Sequence, residues 1–136
     1  MKQAFFACLI LTLSVTTLFG QSSPIVIDNA TGCDFIVDLI QQDPQTCKEK
    51  CWISNICVPA GSTISVNPCC SQCVWLVGLV TPADAPCRPC TANYVKVYEV
   101  NNPCNNTPST GTYNHCSPGC GTYNLNWNNP AALKIF

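Results

Sequence analysis

Residues 69–80 read CCSQCVWLVGLV, so a cluster of cysteines leads directly into an apolar run. An apolar run of roughly 4–8 residues bounded by polar residues is typical of a strand buried on both faces. Residues Cys73–Val80 are therefore expected to form the central strand of a sheet. The cysteines beside it raise the question of compartment, which decides whether they form disulfides.

On both sides of this segment, shorter runs are separated by turn-forming residues. Several of them alternate between polar and apolar residues, as a half-buried strand does, and Tyr94–Val100 is the clearest case. Ile25–Ile27 and Cys33–Ile40 are joined by a turn-forming cluster, which predicts a hairpin or two adjacent strands. The seven candidate strands are Ile25–Ile27, Cys33–Ile40, Thr63–Val66, Cys73–Val80, Tyr94–Val100, Gly121–Trp127 and Leu133–Phe136.

One segment carries a helical signal. Asp43 can accept hydrogen bonds from exposed N–H groups, and Pro44 suits the first helical position. Cys47 and Cys51, four residues apart, would share one face while the charges between them face solvent. One or two helical turns are expected between Pro44 and about Trp52. The expected fold class is all-β: a small, disulfide-rich, β-sandwich-like domain of about seven short strands with at most one short helix.

The first residues predict a secretory signal peptide. Lys2 supplies a basic start, residues 4–19 are almost all apolar or hydroxylated, and Gly20 precedes the polar segment that begins at Gln21. The apolar core of about 16 residues is shorter than the ~20 that a membrane-spanning helix needs. We expect residues 1–20 to be removed and residues 21–136 to form a single cysteine-rich β domain. That domain would be secreted or periplasmic, with no stable membrane insertion after cleavage.

Thirteen of the 136 residues are cysteines, and Cys8 lies within the leader. An even number of cysteines in an oxidising compartment predicts a disulfide framework, with all twelve remaining cysteines oxidised in six bridges. Its members are Cys33, Cys47, Cys51, Cys57, Cys69, Cys70, Cys73, Cys87, Cys90, Cys104, Cys116 and Cys120.

Spacing limits which cysteines can pair. Adjacent Cys69 and Cys70 are expected to take different, non-neighbouring partners, because a bridge between consecutive residues strains the peptide. Cys116 and Cys120 flank a Ser-Pro-Gly turn and are the best candidates for a local pair.

Two other chemistries fit parts of the same pattern. Cys70, Cys73, Cys87 and Cys90 form two pairs whose spacing approaches that of a four-cysteine zinc ribbon. Cys87 and Cys90 also resemble a redox-active pair, but the β-prone segment that follows leaves no helix N-terminus to activate the first thiol. The disulfide framework is preferred over both, and neither a metal nor a cofactor is expected.

Charged residues are few: six are basic and seven acidic, and loss of Lys2 with the leader changes the net charge from −1 to −2. Binding of nucleic acid is not expected, because it needs a concentrated basic patch. His115 is the one histidine, expected in a surface loop, and no serine lies in a nucleophile-elbow motif. Asp28, Asp34 and Asp38 could hold calcium, but the shared parity of Asp34 and Asp38 favours the solvated face of a strand. No catalytic residues are expected.

Aromatic residues give the positive indication of binding, because sugar-binding β-sandwiches often use exposed aromatic faces flanked by amides. Trp75 and the alternating pair Tyr123 and Trp127 are expected to face the core. The other aromatic candidates for a binding surface are Trp52, Tyr94, Tyr98 and Tyr113.

The expected function is that of a secreted, disulfide-stabilised binding or structural domain whose partner is an extracellular protein or a glycan. The alternative is a secreted inhibitor or toxin-like module that displays a rigid loop such as Ala83–Pro86 or Asn105–Pro108. An enzyme with an unrecognised site comes third. Sequons at Asn29 and Asn105 are informative only in a eukaryotic host.

Residues 25–37, in which a strand meets Asn29 and then Cys-Asp-Phe-Ile-Val, resemble the first hairpin of thaumatin-like proteins. Residues 58–62 are similar to the proline-glycine turn before a strand in many β-sandwiches. The resemblance covers less than a third of the chain, and the acidic-cleft signature of thaumatin-like proteins is absent. No family and no site residue are therefore assigned from it.

Overall fold

The computed structural model describes residues 22–105, 107 and 110–136, so the expected signal peptide lies outside the described residues. These residues form two five-stranded sheets packed together, and no helix occurs among them, which confirms the expected all-β, sandwich-like fold. The strands are β1 (Ile25–Asn29), β2 (Asp34–Gln42), β3 (Glu49–Val58), β4 (Thr63–Val66), β5 (Val74–Asp84), β6 (Arg88–Pro89), β7 (Val95–Tyr98), β8 (Thr110–Asn114), β9 (Thr122–Asn129) and β10 (Ala132–Ile135).

The first sheet has the strand order β4-β1-β10-β9-β8. The pairing of β1 with β10 is parallel, so the first and last strands of the described chain are neighbours. The other pairings in this sheet are antiparallel. β10 therefore joins the β4–β1 pair to the β9–β8 pair in one sheet.

The second sheet is antiparallel and is built around β2 and β5. β3 pairs with one edge of β2, while β6 and β7 pair with different parts of the far edge of β5. β5 is buried along nearly its whole length, as its apolar run predicts. Trp75 and Val80 join the core between the sheets, while Val77 and Leu79 belong to a second cluster of buried side chains.

The main core lies between the two sheets, with Phe35 of β2 and Tyr123 of β9 in edge-to-face contact at a centroid distance of 4.8 Å. Gly78 of β5 lies where side chains of the opposite sheet come closest. A Cβ atom at this position would lie 3.2 Å from Leu133 Cδ2 and 3.5 Å from the Trp127 ring. The missing side chain thus lets the two sheets approach each other here.

The helix expected over residues 44–52 is wrong. Asp43 does accept hydrogen bonds from the N–H groups of Gln45 and Thr46, at 2.8 and 3.0 Å, but they close a single turn. These bonds, that of Thr46 first, hold the pKa of the Asp43 carboxyl below its ordinary value. Cys47 then has a φ of 56°, in the left-handed region where a right-handed helix cannot continue. β3 begins two residues later and pairs with β2.

The hairpin expected from the first two strands is also wrong, because β1 and β2 lie in different sheets. The buried side chain of Asn29 stabilises the connection from β1 in the first sheet to β2 in the second. Its amide donates hydrogen bonds to the carbonyl oxygens of Cys33 at 2.8 Å, Val58 at 3.2 Å and Pro59 at 2.9 Å. Its oxygen accepts a hydrogen bond from the N–H of Thr31 at 3.0 Å. One residue therefore joins the turn to the end of β3.

All seven expected strands are present, and β3, β6 and β8 are additional. β6 has only two residues, and β8 reads Thr-Gly-Thr-Tyr-Asn, with one apolar side chain. Neither has the apolar alternation by which a half-buried strand is recognised from sequence.

Tyr123 gives a test of the core. Its side chain is 1% exposed, and its hydroxyl has no hydrogen-bond partner among the described residues. Burial, with a smaller effect of Tyr113, raises the pKa of Tyr123 to about 12. Because an unpaired buried hydroxyl is costly, we expect Tyr123→Phe to raise the free energy of unfolding by about 1 kcal/mol in chemical denaturation.

The matched control is Tyr94→Phe. Tyr94 is 52% exposed, so removing its hydroxyl costs little folding free energy. This variant should change the free energy of unfolding by less than about 0.5 kcal/mol. A clear loss of stability in Tyr123→Phe alone would mean that the hydroxyl has a partner after all.

Candidate functional site

All twelve cysteines among the described residues are paired. Cys69 and Cys70 take different partners, as expected, but Cys116 and Cys120 do not pair with each other. The turn between Cys116 and Cys120 does not bring them into a bridge, because Cys116 bonds to Cys90 and Cys120 to Cys33. The six disulfides are Cys33–Cys120, Cys47–Cys104, Cys51–Cys69, Cys57–Cys87, Cys70–Cys73 and Cys90–Cys116.

The zinc-ribbon pattern is divided among three of these bridges, and Cys87 and Cys90 bond to different partners. Their sulfurs are therefore not the free thiolates that zinc or disulfide exchange would require. The sulfurs of two pairs of cysteines do lie near a ring nitrogen of His115. The pairs are Cys33 with Cys120 and Cys90 with Cys116. Each of these groups is itself a disulfide, so the imidazole lies between two bridges rather than between metal ligands.

His115 lies in the loop between β8 and β9, as expected, but it is half-buried, and its ring meets the edge of Phe35 at a centroid distance of 5.2 Å. Nδ1 accepts a hydrogen bond from the N–H of Ser117 at 3.0 Å, and Nε2 lies 3.3 Å from the carbonyl oxygen of Asp34. These two contacts are both satisfied by the neutral tautomer with a proton on Nε2. The hydroxyl of Ser117 donates to Asp84, not to the ring. This arrangement leaves no ring nitrogen to act as base toward Ser117.

The neighbouring aspartates brace loops. Asp34 is 8% exposed, so the solvated face expected for it is wrong; its carboxylate accepts hydrogen bonds from the N–H groups of Ala60 at 2.9 Å and Cys87 at 3.1 Å. Asp38 accepts one from the N–H of Asn55 at 2.6 Å. Among the described residues, no group of three potential metal ligands within 4.8 Å of one another includes a carboxylate.

The two sequons differ in what the fold does with them. Asn29 is 1% exposed, and the two N–H groups of its amide lie within hydrogen-bond distance of three carbonyl oxygens. A glycan on that nitrogen is incompatible with this packing. The side-chain oxygen of Asn105 accepts a hydrogen bond from Thr107, and Asn106 lies outside the described residues.

The aromatic residues separate into two groups. Trp75, Tyr123 and Trp127 are buried, as expected. Trp52 is 53% exposed and Tyr94 is 52% exposed. Tyr98 and Tyr113 are half-buried. The side chains available to a ligand therefore lie mainly on the second sheet, in β3 and in and just before β7.

A row of paired residues crosses the outer face of the second sheet. Trp52 of β3 pairs with Ile40 of β2, Ile40 with Val77 of β5, and Val77 with Tyr98 of β7. Directly paired residues point to the same side of a sheet. The side is the outer one, because Leu39 next to Ile40 belongs to the core between the sheets. We call this row of Trp52, Ile40, Val77 and Tyr98 the aromatic face.

The aromatic face is apolar in the middle and aromatic at both ends. Ile40 and Val77 are 3% and 4% exposed, and Tyr98 packs against them. Three strand spacings of ~4.8 Å put the two aromatic ends of the row about 14 Å apart. The indole N–H of Trp52 donates a hydrogen bond to Glu49 at 3.2 Å, which orients the exposed ring. The two central side chains are covered, so the parts of the row that a ligand can reach are the oriented ring of Trp52 and the half-buried ring of Tyr98.

The adjacent row of the same face carries one charge of each sign. Asp38, Leu79 and Lys96 are paired across β2, β5 and β7. The face has no strong excess of either charge and suits an uncharged ligand. The sequence indicated these aromatic residues as candidates, but a helix was expected at Trp52, so nothing predicted that Trp52 and Tyr98 share a row.

The loops considered for an inhibitor are only partly available. Ala83 is 1% exposed and paired in the sheet, whereas residues 84–86 are exposed beside the Cys57–Cys87 bridge. In the loop 105–108, Asn106 and Pro108 lie outside the described residues.

Comparison with family models, with curated proteins and with solved structures finds no match for this chain. The support for the candidate site therefore comes from the positions and exposure of its residues. In the part of the chain that the structure describes, no helix is long and apolar enough to cross a membrane.

The disulfide connectivity can be tested directly. Intact mass spectrometry of non-reduced protein should show twelve hydrogens missing relative to the reduced chain, because all six bridges are formed. Peptide mapping should recover Cys33–Cys120 and Cys90–Cys116. A Cys116–Cys120 peptide, or free thiols together with bound zinc, would contradict this connectivity.

Proposed function

We propose that this protein is a secreted, disulfide-stabilised binding domain that binds a glycan on its aromatic face. The observation that carries the proposal is the half-exposed ring of Trp52, in register with Ile40, Val77 and Tyr98 on the outer side of the second sheet. The apolar C–H face of a sugar ring can stack on an exposed aromatic ring, whose π face carries partial negative charge. The hydroxyls at the sugar's edge remain available to polar groups.

Rigidity supports binding by this surface. A disulfide joins Cys51, next to Trp52, to Cys69, and another joins Cys57 at the far end of β3 to Cys87. The Trp52 ring is also oriented by its hydrogen bond to Glu49. A surface ordered before the ligand arrives loses less conformational entropy on binding.

Charge and compartment support the same ligand class. The chain has net charge −1, and the aromatic face lies beside one Asp and one Lys, so neither nucleic acid nor an anionic surface is attracted. Six disulfides are compatible with an extracellular, oxidising location. With the signal peptide expected from residues 1–20, they support an extracellular or periplasmic site of action.

A second candidate function rests on the exposed tip of residues 84–86. The tip lies between β5 and Cys87, and the sheet pairing of Asp84 with Arg88 closes it. Rigid, exposed loops of this kind are suited to insertion into a partner's cleft, as in an inhibitor or toxin-like module. The aromatic face is preferred because it presents the exposed ring of Trp52, which its hydrogen bond to Glu49 orients.

The glycan proposal is tested by screening the mature protein on a glycan array and measuring the affinity of any ligand found. We expect Trp52→Ala to weaken binding at least about tenfold, corresponding to ~1.4 kcal/mol, because it removes the stacking ring. The matched control is Phe136→Ala, which removes an aromatic residue that is 51% exposed at the end of the other sheet.

Binding should be unchanged in Phe136→Ala, and both variants should show the far-UV circular dichroism of the wild type. Equal weakening in the two variants, or no glycan ligand at all, would count against the aromatic face. Protein binding lost on replacing residues 84–86 and retained in Trp52→Ala would favour the inhibitor-like alternative.

A further inference from the structure

A cavity of about 270 Å³ opens at one end of the sandwich, and the aromatic face does not contribute to it. Its apolar walls include Trp75 at the start of β5 and Pro130 and Ala131 between β9 and β10. Ser22, from the segment before β1, and Glu99, just after β7, also line it. Four separate segments of the chain therefore build one small, mainly apolar site with a carboxylate.

Glu99 is 6% exposed, although it is charged in its ordinary state. One carboxylate oxygen, Oε1, accepts a hydrogen bond from the N–H of Asn101 at 2.9 Å. No other hydrogen bond and no cationic side chain meets this carboxylate among the described residues. Burial raises its pKa above the ordinary value, against the opposing effect of the Asn101 hydrogen bond. A cation would complete a site that the chain itself leaves half satisfied.

We propose that this cavity binds a primary alkylammonium group, with the ammonium at the free oxygen of Glu99 and the alkyl stem along Trp75 and Pro130. An ammonium is a compact charge that needs only one acceptor oxygen in a given direction. The apolar walls suit a chain of methylene groups, as they suit the stem of a lysine. The volume is slightly below the ~300–1,000 Å³ of pockets for drug-sized molecules, so the ligand is small.

The geometry favours ammonium over the other common cations. A guanidinium binds best to both oxygens of a carboxylate at once, and one oxygen of Glu99 is already held by Asn101. Calcium requires about 6–8 oxygen ligands, and the cavity presents a single carboxylate. The ammonium can belong to a free amine or to a lysine side chain of a partner, and the experiment must distinguish these two sources.

The test is a titration of the mature protein with n-butylammonium, followed by proton–nitrogen NMR. We expect saturable shifts of the Trp75 indole N–H, which donates to Ser23 beside the cavity, and of the Asn101 N–H, which donates to Glu99. Butan-1-ol, of similar size and uncharged, should bind at least about tenfold more weakly. n-Butylguanidinium should also bind more weakly than the amine.

Glu99→Gln keeps the size of the side chain and removes its charge, so it should reduce the affinity for n-butylammonium by about tenfold or more. The matched control is Asp28→Asn, which removes a carboxylate from the first sheet without touching the cavity and should leave the affinity unchanged. Ala131→Leu tests the same site by filling it and should also weaken binding. Chemical denaturation of each variant establishes that it is folded before its affinity is compared.

Cleavage after Gly20 would give the chain an α-ammonium group one residue before Ser22, so this amine must be tested as a competitor. Cyclisation of Gln21 to pyroglutamate removes that charge, and this form should bind n-butylammonium at least as well. A lysine blocked by acetylation at Nα and by amidation tests the second source. If it binds at least as tightly as the free amine, the site belongs to a lysine-bearing partner. Preference for the free amine assigns it to a small molecule.

Two results would overturn the proposal: equal affinity for butan-1-ol and n-butylammonium, or unchanged amine affinity in folded Glu99→Gln. Shifts that fail to saturate, or that spread over exposed carboxylates and spare Trp75 and Asn101, would likewise show that amines bind the protein without using this cavity. None of these results depends on the aromatic face, so a failure here leaves the glycan proposal intact, and the reverse also holds.

Discussion

β2 and β5 run antiparallel through the middle of the second sheet, and their pairing extends from Asp34 opposite Ala83 to Gln42 opposite Val74. This pair is buried on both faces. Phe35 and Leu39 point into the core between the sheets, whereas Ile40 and Val77 form the centre of the aromatic face. Without this pairing there would be no platform for β3 and β7, and Trp52 and Tyr98 would not share a row.

The disulfides hold loops onto this framework, and their effects depend on the length of chain that they close. Cys33–Cys120 spans 87 residues and Cys70–Cys73 spans 3. A bridge typically adds ~2–4 kcal/mol, and in the chain-entropy account the longer closure restricts the unfolded state more. The short bridge has a local effect instead. It lies beside the N–H groups of Cys69 and Cys70, which both donate to the buried side chain of Gln41 at 2.8 and 3.0 Å.

The two proposed sites use the two ways in which a small, weakly charged domain can recognise a ligand. The aromatic face offers the exposed ring of Trp52, where stacking selects the partner. The cavity beside Glu99 offers one buried charge, where electrostatic complementarity selects it. The end of β7 contributes to both sites. Tyr98 points outward to the aromatic face, and the next residue, Glu99, is buried toward the cavity. Alternation along an extended chain thus places two different surfaces within one residue of each other.

Local sequence predicted a good part of the fold, because the alternation of apolar residues records which strands are half-buried. It located β5, β7 and β9 and placed Trp75 and Trp127 inside. It failed at β3, where the hydrogen bonds of Asp43 were correctly anticipated but produce one turn instead of a helix. What ends that turn is the left-handed conformation of Cys47, and its disulfide to Cys104 reaches far along the chain. No local pattern contains that information.

The sequence by itself determined the all-β character of this protein, and the even number of cysteines after residue 20 predicted a framework of disulfides. Only the tertiary structure decided the partner of each cysteine, the separation of β1 and β2 into different sheets, and the side of the sheet on which Trp52 is exposed. Alternation and composition depend on neighbours along the chain, so they can be read locally. Cysteine pairing, sheet order and the burial of Glu99 depend on segments far apart in sequence, and these are fixed only when the two sheets pack together.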